Sequence, residues 1–303
     1  MEAAAIVFQQ IVTMFLYMLA GYLLVRTGKL STQGSRDLAT MLIWLVIPAM
    51  MVNSFCVAFS AERLKELALS SLLGAAALAV SLGLARLLMH KNAVEEFAAA
   101  FSNAGFIGIP LVSASLGSDA VFFIVGFIAL LNILQWTYGV QLFTGKRGRL
   151  GLKGLLLNPI MVSMLLGLLL FLTGLGARLP AVLSGAVKGI AALNAPIAML
   201  VLGAYFARVD VGAMFRKRRL YLLSAVRLLL IPMVTLLVFR LTGLPQRMCL
   251  AVLISASAPV GANVAVYAQL HDQDYSYACE TVVLTTLLSL VFLPLILLIA
   301  GRI

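Results

Sequence analysis

The sequence predicts an all-α membrane protein of ten transmembrane helices, arranged as two inverted five-helix repeats with broken helices at spans 4 and 9. Three observations carry this expectation. Hydrophobic residues make up 63% of the 303 residues and charged residues only 11%, against roughly half and a quarter in soluble domains. The apolar residues fall in blocks of about 20, the length of helix that crosses a hydrocarbon core. Proline and glycine also recur at a nearly constant offset between the two halves of the chain.

The ten spans run near 4–25, 37–58, 66–88, 96–116, 119–142, 154–174, 187–207, 219–239, 247–269 and 275–300. Blocks this long argue against a membrane β-barrel, whose strands are short and alternate in polarity. No connection is long enough for an additional soluble domain. The first apolar block follows Met1-Glu2-Ala3 without a basic stretch, so it is expected to be a retained helix and not a cleaved signal.

The net charge of +11 invites a nucleic-acid reading, but the Lys and Arg residues sit in short loops, where membrane topology selects them. Fourteen of them fall in or beside the connections after odd-numbered spans and seven on the other side. Lys146-Arg147-Gly148-Arg149 and Arg216-Lys217-Arg218-Arg219 lead that bias. The odd connections are therefore expected in the cytoplasm, with both termini outside and the chain in the cell (inner) membrane. Cys56, Cys249 and Cys279 lie far apart in or beside spans, and His90 and His271 lack partners at metal-ligand spacing. Neither a disulfide framework, a metal site nor a cofactor is expected.

The halves, 1–150 and 151–303, repeat one another. Gly21-Tyr-Leu-Leu-Val-Arg-Thr-Gly28 recurs as Gly167-Leu-Leu-Leu-Phe-Leu-Thr-Gly174, an offset of 146. Pro48 matches Pro196 and Pro110 matches Pro259, at offsets of 148 and 149. Five spans per half is an odd number, so the second half must be upside down relative to the first, an arrangement used for alternating access.

Spans 4 and 9 carry the chemistry. The first reads Phe101-Ser-Asn103-Ala-Gly105-Phe-Ile-Gly108-Ile-Pro110, the second Ser255-Ala-Ser257-Ala-Pro259-Val-Gly261-Ala-Asn263. Proline removes a backbone donor and clashes with the preceding turn, so both helices are expected to break at Pro110 and Pro259, which then open fresh half-helices. Bare backbone in lipid is tolerated only where it lines a cavity. The half-helix N-termini would point partial positive charge at the midplane, a place suited to a carboxylate. A plain proline kink explains either break alone; matched breaks in both repeats favour a solute site.

These segments resemble the auxin efflux carrier family, and the resemblance spans essentially the whole chain. It rests on Asn103-Ala-Gly-Phe-Ile-Gly-Ile-Pro110, on Asn158-Pro159, on Arg227-Leu-Leu-Leu-Ile-Pro232 and on Ala258-Pro259-Val-Gly-Ala-Asn263. The resemblance implies spans 4 and 9 crossing at their prolines, in a mobile transport domain of spans 3–5 and 8–10. Spans 1, 2, 6 and 7 would form a scaffold and, commonly, a homodimer interface. It further implies a secondary transporter of small organic anions: auxin in plant members, malonate, malate and similar carboxylates in bacterial ones. This chain lacks the long loop of many plant members after span 5, which argues for a compact bacterial type. Asn132 and Gln135 of span 5 join the candidate site on the same ground, although such side chains, like Asn53 and Asn194, more often join helices.

Arg227 lies well inside span 8 and must face protein or water. It can snorkel to the interface, counter a substrate's charge or pair with Glu280. Glu280 is a candidate for coupling to a proton or sodium ion, or an interfacial acid beside Asp272 and Asp274. Glu95 and Glu96 open span 4 and are expected in water. A cation/proton antiporter would need carboxylates near the breaks, where this chain has asparagines and serines. No His-Glu-x-x-His, Gly-x-Ser-x-Gly or intramembrane aspartate pair supports an enzyme, and a receptor or scaffold role would leave the matched breaks unexplained.

Overall fold

A computed structural model describes residues 2–145 and 159–301, so the basic run 146–149 and Asn158 lie outside it. The described residues are helical apart from short connections and one isolated β-bridge. In chain order the helices of eight residues or more are α1 (Glu2–Arg26), α2 (Thr32–Phe55), α3 (Ala61–Met89), α4 (Ala93–Ala100), α5 (Ala104–Leu116), α6 (Ser118–Thr144), α7 (Pro159–Leu172), α8 (Ala181–Phe206), α9 (Arg218–Arg240), α10 (Gln246–Ser257), α11 (Asn263–Leu270) and α12 (Tyr275–Gly301). Six of them, α2, α3, α6, α8, α9 and α12, are long and apolar enough to cross a bilayer. The other expected spans hold shorter apolar helices: Val12–Arg26, α5, α7 and α10.

The boundaries follow local chemistry. Ser31, Ser60 and Asn92 accept hydrogen bonds from the first amides of α2, α3 and α4, the usual N-cap arrangement. Pro180 and Pro245 precede α8 and α10, and Gly145 closes α6 in the left-handed conformation, as a C-terminal glycine can without a Cβ penalty. Helix α8 opens at Ala181, earlier than the expected start near 187. Lys188 therefore lies within a helix and exposed, so Arg227 is not alone as a basic residue inside a span.

Three prolines that should interrupt helices do not. Pro48, Pro110 and Pro232 each follow a five-residue π-turn: Leu42–Val46, Ala104–Gly108 and Val226–Leu230. In each turn the residue before the proline donates to the carbonyl five back: Ile47 to Leu42, Ile109 to Ala104, Ile231 to Val226. The widened turn makes room for the ring where a regular α-turn would collide with it. Pro110 consequently lies inside α5 and does not start it, which corrects the expected position of the first break.

Helix α1 packs along the Asn194–Phe206 part of α8, and the C-terminal part of α2 packs against α7 and the start of α8. Glycine makes the first contact possible. A Cβ on Gly21 would collide with the carbonyl oxygen of Leu200, and one on Gly203 with that of Met18, the close backbone approach that small residues give membrane helices. Helix α3 lies against α4, α6, α9 and α10. Helix α4 is buried from Val94 to its end, whereas Trp44, Leu72, Leu87, Val182 and Val291 point outward at 64–82% exposure, as residues facing lipid would.

Candidate functional site

Two expected spans are interrupted, and the interruptions lie against each other. Between α4 and α5 the chain is extended at Phe101 and Ser102, and between α10 and α11 it is extended around Pro259 and Val260. Ser102 and Val260 form an antiparallel bridge: the Asn103 amide donates to the Pro259 carbonyl at 2.7 Å, and the Gly261 amide donates to the Phe101 carbonyl at 3.0 Å. The Val260 amide is taken by the hydroxyl of Thr285 on α12 at 3.1 Å. Gly261 suits this close approach: a Cβ would come within 3.1 Å of the Ser102 carbonyl oxygen and 3.3 Å of that of Phe101, so the opposite segment would have to give by a few tenths of an ångström.

The first interruption is made by Asn103. Its side-chain oxygen caps α5 by accepting from the Phe106 amide at 3.3 Å, and its carbonyl accepts from Ile107 and Gly108, both at 3.0 Å. Pro259 lies in the extended crossing segment, four residues before α11 begins, so it interrupts the span as expected but does not open the next half-helix. The two prolines thus have different places, one within a helix and one in the gap between two.

The carbonyls freed by these breaks converge on Arg227, which has no exposed surface. Its Nη1 donates to the carbonyl of Ala99 and its Nε to that of Ala258, both at 3.0 Å, and its Nη2 donates to that of Ala256. These carbonyls stand at the C-terminal ends of α4 and α10, where helix carbonyls have no partner of their own. Arg227 does not line the adjacent cavity and does not pair with Glu280, which is bound instead by Lys217 at 2.6 and 2.8 Å. The snorkelling and counter-ion readings both give way to a carbonyl-binding one.

Beside the bridge lies a cavity of about 170 Å³. Its polar lining comes from Ser102, Asn103, Asn132, Gln135 and Asn263, with Ala104, Gly105, Gly261 and Ala262 presenting backbone; Ile43, Ile47, Phe106, Ile128, Leu131, Trp136, Ile160 and Tyr267 close it. Among the described residues no charged side chain lines it. Asn263 donates to Gln135 at 2.9 Å, which joins α11 to α6 across the cavity. Asn132 donates to Ile128 of its own helix at 2.8 Å. The side-chain nitrogen of Asn103 is buried without a partner among the described residues. The amides of Ala104, Gly105, Ala262 and Asn263 stand at the N-terminal ends of α5 and α11, where helix amides have no acceptor within their own helix. All of these residues line the cavity.

Of the residues expected at the site, the cavity thus gathers Asn103, Gly105, Asn132, Gln135, Gly261 and Asn263. Gly108 packs on Ser255, a Cβ there coming within 3.2 Å of that serine. Ser257 ends α10 with its hydroxyl buried and unpartnered among the described residues. Pro110 lines a separate cavity of about 190 Å³ with Met50, Ser113 and Asn194. Asn194 donates to the Gly105 carbonyl at 3.2 Å, bonding α8 to α5. Residue-type reasoning missed Ser102, Trp136, Tyr267 and Thr285. Ser102 adjoins Asn103, which is a usable signal; the others become neighbours only through the fold.

The two acids that open α4 are both paired. Glu95 is bound by Arg219 at 2.7–2.9 Å and by the Tyr277 hydroxyl at 2.8 Å. Glu96 is bound by Arg86 at 3.2 Å and by the Tyr138 hydroxyl. Contrary to the expectation that they sit in water, Glu95 and Glu96 are 2% and 1% exposed. Buried carboxylates persist only when paired, and here the partners come from four other helices, α3, α6, α9 and α12.

Apolar helices that bury an uncharged polar cavity between two mutually hydrogen-bonded interruptions define a multi-pass membrane protein. The chain belongs to the membrane transport protein family, the auxin efflux carrier family, whose model matches residues 6–152 and again residues 149–297. It is also 23% identical over 299 residues to an uncharacterized transporter of Methanothermobacter thermautotrophicus, covering 95% of this chain and 96% of that one.

Proposed function

We propose that the protein is a secondary transporter of small organic anions, with the cavity beside the Ser102–Val260 bridge as its binding site. The observation that carries this is the unpartnered, buried side-chain nitrogen of Asn103 in one small space on which the N-terminal ends of α5 and α11 converge. A buried donor without a partner costs about 1–3 kcal/mol, and this one shares its void with two helix N-termini, whose partial positive charge favours anions. A carboxylate supplies acceptors and charge together. A volume of about 170 Å³ is below the roughly 300–1,000 Å³ of pockets for drug-sized ligands, so a mono- or dicarboxylate such as malonate or malate fits better than a large solute. The absence of acids from the described lining disfavours a cation/proton antiporter.

In this reading the interrupted helices belong to a mobile body of α3–α6 and α9–α12, which moves against a scaffold of α1, α2, α7 and α8 in an elevator-like exchange. The Asn194–Gly105 hydrogen bond crosses between these groups and must break on that movement. The two halves of the chain are read as inverted repeats, the odd connections as cytoplasmic, the membrane as the cell (inner) membrane, and the protein as a homodimer joined through the scaffold. Glu280, held by Lys217, is a poor candidate for ion coupling in this state; a proton or sodium ion remains the expected driving ion.

Uptake of radiolabelled malonate or malate into proteoliposomes tests the proposal. Wild-type protein is expected to exceed empty liposomes, and Asn103→Ala and Asn263→Ala to fall at least about tenfold while retaining cooperative melting, since one lost charge-assisted bond of roughly 1.5–3 kcal/mol corresponds to that factor. Correctly folded wild-type protein that moves no carboxylate overturns it.

A further inference from the structure

We infer that Arg227 sets the charge preference of the cavity from outside it, by neutralising the wrong ends of the broken helices. The inference rests on the anion-binding reading above and deepens it.

An interrupted helix brings two ends to mid-membrane, and they are opposite in sign. The ends of α5 and α11 that face the cavity carry about +0.5 charge each, while the C-terminal ends of α4 and α10 beside them carry about −0.5 each. Left alone these sum to nearly zero, and a site between them would have little reason to prefer an anion to a neutral solute. Arg227 changes the balance. Its donors hold the carbonyls of Ala99, Ala256 and Ala258, so one guanidinium serves the C-terminal ends of both helices. An arginine stays protonated in proteins, and its unit charge matches the two half-charges it faces. The positive ends at Ala104, Gly105, Ala262 and Asn263 are then unopposed. Arg227 is therefore a positioning residue, acting through the backbone dipoles without touching the solute.

Fixing the carbonyls geometrically and balancing their charge are separable tasks. The test compares malonate with malonamide, a neutral analogue of similar shape, by competition against labelled malonate uptake in proteoliposomes. Wild-type protein is expected to prefer malonate. Arg227→Lys keeps the charge but makes fewer hydrogen bonds; its melting temperature should fall while its malonate/malonamide preference stays within about threefold of wild type. Arg227→Gln keeps hydrogen-bonding capacity without charge, and its preference should drop about tenfold or more, the scale of a unit charge acting over several ångströms of protein.

A preference that collapses in Arg227→Lys along with its melting temperature overturns the inference, as does an unaltered preference in folded Arg227→Gln. If Arg227→Gln does not fold, Arg227→Lys decides alone. Wild-type protein that does not discriminate malonate from malonamide instead overturns the anion reading itself, a result distinct from either.

Discussion

The two interruptions reach one bridge by different chemistry. Around residues 258–262 the sequence itself disfavours a helix: Pro259 has no amide to give, and Gly261 lies where a side chain would press on the carbonyls of Phe101 and Ser102. At residues 101–103 neither proline nor glycine is present. There the helix stops because Asn103 caps the next one and because the partner segment offers its backbone: the Pro259 carbonyl accepts from Asn103, and the Gly261 amide donates to Phe101. One break is thus written locally and the other depends on its partner, so damage to either segment should be felt more at the first.

This asymmetry sets the order of effects. Gly261→Leu should be the most damaging, since it drives a side chain into the carbonyls of the opposite segment; overpacking of this kind costs about 1–3 kcal/mol or more, read as a lower melting temperature and lost uptake. Asn103→Ala should come next, removing a cap worth about 0.5–2 kcal/mol together with a donor of the proposed site, so that uptake falls further than stability. Pro259→Ala should cost only about 0.4–1 kcal/mol, mainly through added freedom of the unfolded chain, because Gly261, Thr285 and Arg227 still hold the segment open. Pro110→Ala should be the mildest, within about 0.5 kcal/mol as an Ala is accepted readily inside a helix, with uptake near wild type. A Pro110→Ala loss as large as that of Asn103→Ala would restore proline as the origin of the first break.

Much of the architecture was legible because bilayer thickness imposes a length and composition that few other settings demand. The second interruption was legible for the same sort of reason, since Pro259 and Gly261 act through their own backbones. The first was misplaced by seven residues: Asn103 and Pro110 both look like helix openers in sequence, and only the π-turn at Ala104–Gly108 reveals that the proline has been accommodated. The role of Arg227 was hidden because its partners are main-chain carbonyls, which every residue carries and no sequence displays. Glu95 and Glu96 were misjudged because their burial depends on Arg219, Tyr277, Arg86 and Tyr138. Position at the start of a span says nothing about what another helix lays over it.

The wide turns ahead of Pro48, Pro110 and Pro232 carry a consequence for phase. Each holds one residue more than a regular turn would, and each residue advances a helix by about 100°. Everything downstream is therefore rotated by that amount from where simple periodicity would put it. Removing a single leucine from Val226–Leu230 would close the wide turn and leave Ile231, Thr235 and Phe239, all now buried, on their present face, but it would press the Pro232 ring against the turn before it. In these helices the extra residue and the proline belong together, and deletion of the one is expected to be tolerated only where the other is replaced as well.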